Sequence, residues 1–64
     1  MPIIRVEILE GRSVEQKREL VETLSKETAR VIGCPENSIY VVIEDVSKHN
    51  WGVGAQLLSD KYPD

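Results

Sequence analysis

From Ile3 to Leu9 the chain alternates, with Ile4, Val6 and Ile8 on one side of an extended backbone and Ile3, Arg5, Glu7 and Leu9 on the other. A period of two predicts a strand over residues 2–9. Glu10-Gly11-Arg12 interrupts the pattern, and Ser13-Val14-Glu15-Gln16 has the spacing of a capping box, in which the Ser13 hydroxyl and the Gln16 amide satisfy free amides at a helix start. A helix is therefore expected from Val14. Leu20, Leu24, Thr28 and Val31, with Val21 and Ile32 beside them, form one apolar stripe, whereas Glu15, Glu19, Glu22, Lys26 and Arg30 are polar. Gly33 can close such a helix in the left-handed conformation and Pro35 cannot continue it, so the end falls near Ile32.

The next apolar segment, residues 39–43, reads Ile-Tyr-Val-Val-Ile. Being β-branched or aromatic throughout, it predicts a strand covered on both faces, as in a parallel pair joined by a helical crossover. Ser47-Lys48-His49-Asn50 reads as a turn, Trp51-Gly52-Val53-Gly54-Ala55 as a short hairpin or irregular strand, and Leu57-Leu58 as the start of a terminal turn. The expected class is α/β: a single βαβ unit with parallel strands, a crossover helix and a short C-terminal hairpin, forming one domain over residues 1–64. The glycine-rich stretch and the tail are too weak to be ordered alone, which makes them candidate subunit contacts.

Size sharpens that last point. A chain of 64 residues buries too little apolar surface to offset its ordering entropy comfortably. Cys34 has no second cysteine to pair with, and a lone His49 provides no ligand cluster, so neither a disulfide nor a metal is available and an oligomer is expected. An unpaired cysteine also fits a reducing, cytoplasmic setting. The run 39–43 is far too short to cross a membrane. With 11 acidic residues against 8 basic ones, a formal charge of −3 and no lysine or arginine block, nucleic acid is not an expected partner. Single cations at Arg5, Arg12, Arg18 and Arg30 remain able to hold a small anion.

Candidate chemistry is sparse. There is no serine-histidine-acid set, and Gly52-Val53-Gly54 lacks the rest of a nucleotide-binding fingerprint. Proline at position two stands out, because an initiator methionine followed by a small residue is removed, leaving a secondary amine. A free α-amino group titrates at roughly 7.7–8.0; an apolar pocket or a nearby cation such as Arg12 would depress a proline amine enough to make it a base at neutral pH. Each candidate also has a plain structural role: Pro2 as a strand-opening proline, Arg12 as a solvated loop residue, Trp51 as an interface anchor, Tyr40 as a sheet residue of high β propensity. His49 and Cys34 are assigned no function.

Pro2, the segment Ile8-Leu9-Glu10-Gly11-Arg12-Ser13 followed by Glu15-Gln16-Lys17, and Trp51-Gly52-Val53-Gly54 together resemble the 4-oxalocrotonate tautomerase family over nearly the whole chain. The resemblance implies βαβ subunits assembled as dimers into a homohexamer, a trimer of dimers, without metal or organic cofactor. It implies an isomerase in which Pro2, freed of Met1, moves a proton between atoms of a small enol or keto acid. By the same resemblance Arg12 binds a substrate carboxylate, and Trp51 stands where the family has an aromatic pocket wall. Tyr40 occupies the position of a second arginine that a neighbouring subunit supplies in the family. A phenol offers neither a fixed charge nor a bidentate fork, so dicarboxylate binding is expected to suffer. Arg5 is a poor replacement, since its parity on the strand is opposite to that of Ile4 and Val6, which Pro2 shares. Val53 sits where related dehalogenases carry a water-activating acid. The alternative expectation is a non-catalytic or hetero-oligomeric subunit that needs a partner to supply the missing arginine.

Overall fold

The computed structural model describes residues 1–63. β1 (Ile3–Leu9) leads through the Glu10–Ser13 loop into α1 (Val14–Ile32), and β2 (Tyr40–Val46) follows a single 3-10 turn at Glu36–Ser38. A second 3-10 turn, Lys48–Asn50, then precedes the hairpin strands β3 (Gly52–Val53) and β4 (Gln56–Leu57) and the one-turn helix α2 (Leu58–Lys61). β1 and β2 pair in parallel, from Ile3 opposite Tyr40 to Leu9 opposite Val46, while β3 and β4 pair antiparallel. The expected βαβ unit with a C-terminal hairpin is what forms.

Both ends of α1 are set locally. Ser13 Oγ accepts from the Gln16 amide at 3.1 Å, and Gln16 Oε1 accepts from the Ser13 amide at 2.9 Å, completing the capping box. Gly33 ends the helix at φ +79°, and its amide donates to the Ala29 carbonyl at 2.8 Å. The helix covers one face of the sheet: Ile4, Val6 and Ile8 of β1 and Val41 and Ile43 of β2 are half-buried, as are Leu20, Val21, Leu24 and Thr28 of α1.

Three expectations change in detail. β2 runs to Val46 rather than stopping at Ile43, because β1 continues beside it and the Glu10 amide closes the ladder on the Val46 carbonyl at 3.0 Å. Pairing thus draws Glu44 and Asp45 into a strand despite their low propensity. Val31 and Ile32 do not face the sheet; they are 71% and 60% exposed. Nineteen helical residues span about 28 Å, against about 23 Å for a seven-residue strand, so the last turn overruns the sheet. Finally, β2 is covered on one face only. Its other face, with Ile3, Arg5, Glu7, Tyr40, Val42 and Glu44, is exposed.

No described residue is fully buried, although 41% of the chain is hydrophobic. The radius of gyration is 15.0 Å, whereas a compact chain of this length has about 11 Å. The chain is thus a flattened, open unit, with no closed core among the described residues.

Candidate functional site

Parallel pairing sorts the four candidate residues into two groups. At the N-terminal end of the strands the Tyr40 amide donates to the Pro2 carbonyl at 3.0 Å, so the two backbones are neighbours. Their side chains are not: Pro2 is half-buried in phase with Ile4 and Val6, and Tyr40 belongs to the exposed face with Ile3 and Val42. At the C-terminal end stand Arg12, just after β1, and Trp51, just after the turn that follows β2.

Around Arg12 the chain makes a shallow cavity of ≈ 200 Å³ lined also by Ile8, Gln16, Lys17 and Leu20. Gly11, at φ +113°, turns the backbone into this loop, in a region where a side chain would be strained. Trp51 is half-buried and, with Glu7, Val46, Asn50 and Gly52, lines a second open cavity of ≈ 390 Å³. Its carbonyl accepts from the Leu58 amide at 2.8 Å, which folds α2 back over the turn before the hairpin. Both cavities lie toward the C-terminal end of the paired strands, one against Ile8 on the helix-covered face and the other against Glu7 on the uncovered face.

Seven residues of strand, about 23 Å, separate the Pro2 end from the Arg12 end, far longer than a small enol acid. Within one chain Arg12 and Trp51 therefore stand toward one end of the strands and the Pro2 and Tyr40 backbones toward the other, and the four are not brought together.

Sequence reasoning passed over one feature of this region. Lys17 Nζ lies 2.6 Å from Asp45 Oδ2, an ion pair between the first turns of α1 and the end of β2. A signal for the inward placement of each residue was present, though not for their pairing. Lys17 precedes Leu20 by three, on the apolar side of the helix, and Asp45 follows Ile43 by two, on the apolar side of the strand. An acid and a base each placed inward are natural partners. Cys34 is a free thiol and His49 is exposed. Among the described residues no helix is long and apolar enough to cross a membrane.

Residues 2–61 match the family model described as tautomerase enzyme. A probable tautomerase of Bacillus cereus is 44% identical over 61 residues, covering 95% of this chain and all of the relative. The 2-hydroxymuconate tautomerase of Pseudomonas putida is 41% identical over 59 residues, 92% of this chain and 94% of that one. Among solved structures, a heterohexamer 4-oxalocrotonate tautomerase from Chloroflexus aurantiacus superposes with a TM-score of 0.88 at 35% identity, over 94% of this chain and 97% of that one. Matched from the residue after Met1 to the end of α2, the chain belongs to the tautomerase family of isomerases.

Proposed function

We propose that this chain, once Met1 is removed, tautomerises small enol carboxylates with the Pro2 nitrogen as acid and base, in a site shared between subunits. The observation behind this reading is the division of Pro2 and Arg12 between opposite ends of a sheet in a subunit with no fully buried residue among those described. Two copies related by a two-fold axis perpendicular to the strands run antiparallel, so the Pro2 end of one lies alongside the Arg12 and Trp51 end of the other. The same packing covers apolar surface that the single subunit leaves in water. A hexameric trimer of dimers extends this principle, and the single free cysteine fits a cytoplasmic protein.

The chemistry follows from the groups. With Met1 attached the Pro2 nitrogen is an amide and no base; removal makes it an amine. That amine takes the hydroxyl proton of the enol, the oxygen electron pair forms the carbonyl, and the displaced π electrons move along the conjugated chain. The resulting ammonium returns the proton to the distal carbon, so no atom is gained or lost. Arg12 holds the carboxylate and stabilises charge that shifts toward it, while Trp51 excludes water and so strengthens both effects. Tyr40 can donate one hydrogen bond where a guanidinium would donate two with a full charge. The favoured substrates are therefore enols with one carboxylate, aryl enolpyruvates among them, ahead of dicarboxylates.

Intact mass and an ultraviolet assay of enol-to-ketone conversion test this together, using phenylenolpyruvate and 2-hydroxymuconate. Processed protein should turn over the monoacid, and Pro2→Ala should abolish it. Turnover unchanged in Pro2→Ala would refute the proline mechanism. Tyr40 supports one second reading, a subunit of a mixed assembly, as in the Chloroflexus relative. That reading expects processed protein to be inactive alone and active after mixing with a partner subunit that carries the arginine.

A further inference from the structure

The carboxylate subsite proposed above has to keep Arg12 at a fixed place on a loop that no packed core supports. Two ties bracket that loop. Before Arg12, the Glu10 amide donates to the Val46 carbonyl at 3.0 Å. After it, Lys17 on the first turns of α1 reaches Asp45 on β2 at 2.6 Å. Both ties end on adjacent residues of β2, and Val46 itself lines the Trp51 cavity. Lys17 also lines the Arg12 cavity, with Ile8, Gln16 and Leu20.

We propose that the Lys17–Asp45 ion pair is a positioning device for this tautomerase: it fixes the Arg12 loop against the strand that leads to Trp51, and so sets the distance between carboxylate anchor and pocket wall. The inference rests on the reading of Arg12 as the carboxylate ligand. Of the three ion pairs among the described residues it is the one that joins two elements. Lys26 with Glu22 and Arg30 with Glu27 stay within α1, with side chains more than half exposed, whereas the Lys17 side chain is 28% exposed. An exposed pair within one helix supports that helix alone. A pair between helix and strand restricts their relative shift, and small misplacements of a binding group cost rate steeply.

In the proposed site Lys17 makes no contact with the reacting atoms, so its loss acts on substrate binding. Kinetics of Lys17→Met, Asp45→Asn, the double variant and Lys17→Arg, with phenylenolpyruvate and with Arg12→Ala as reference, separate the cases. Each single variant should raise KM about fivefold with kcat within about twofold of the parent. The double variant should cost no more than either single one, and Lys17→Arg should keep the parental KM. A parental KM in Lys17→Met, while Arg12→Ala raises it, overturns the positioning role alone. An unchanged KM in Arg12→Ala overturns the reading of the subsite and the positioning role with it. If a single variant fails to assemble, the double neutral variant decides: raised KM upholds the proposal and parental KM overturns it.

Discussion

In the proposed site, Tyr40 is the residue on which substrate choice turns. It is 53% exposed on the uncovered sheet face, at the end of the sheet where Pro2 stands. In the proposed assembly, where it meets a neighbour's site, a phenol there contributes one neutral hydrogen bond. Tyr40→Arg would replace it with a charge-assisted fork, a gain of about 1.5–3 kcal/mol where the partner is a carboxylate. The variant should lower KM for 2-hydroxymuconate by roughly tenfold and leave phenylenolpyruvate nearly unchanged, which steady-state assays with both substrates will show. Gly33 offers a contrast, a residue whose value is conformational. At φ +79° it terminates α1, and nothing lies within 4 Å of where a Cβ would be. Gly33→Ala meets backbone strain without a clash, so a loss of about 1–2 kcal/mol is expected in denaturant unfolding, with kcat/KM unaltered.

At the scale of elements, boundaries set by local chemistry were legible and boundaries set by pairing were not. Ser13, Gln16, Gly33 and Pro35 act within a few residues of themselves, and α1 begins and ends where they place it. β2 continues through Glu44 and Asp45 because β1 lies alongside, which no window on residues 44–46 reveals. The same holds for the site. Pro2 and Arg12 could be singled out as chemistry, and their separation by the length of β1 was implicit in the βαβ reading. The Lys17–Asp45 pair required knowing which helix turn meets which strand end. The capping box gives the test proper to this scale. Ser13→Ala removes the hydroxyl that accepts the Gln16 amide, at a cost of about 1 kcal/mol. Because that cap fixes the loop carrying Arg12, the lower midpoint in urea should be accompanied by a raised KM, whereas Gly33→Ala at the far end of α1 should show the first effect without the second.

At the scale of the whole molecule, the exposed sheet face divides into two halves. Ile3 and Tyr40 make one end apolar, Glu7 and Glu44 make the other acidic, and Arg5 lies opposite Val42 between them. A chain that exposes this face, has no fully buried residue among those described and extends to 43 Å along its longest axis has little to hold it folded alone. Folding and association should then be one process, with a midpoint that rises with protein concentration. Val42 tests which face matters, since it is 42% exposed in the subunit and sits between Tyr40 and Glu44 on the uncovered side. Val42→Asp adds a carboxylate that association would have to strip of water without a partner, a penalty of several kcal/mol. The variant should sediment as a smaller species, lose most of its helical signal at micromolar concentration, and lose turnover in proportion. A folded Val42→Asp of parental size would show that this face stays in water, and that the subunits meet through strand edges and the C-terminal hairpin instead.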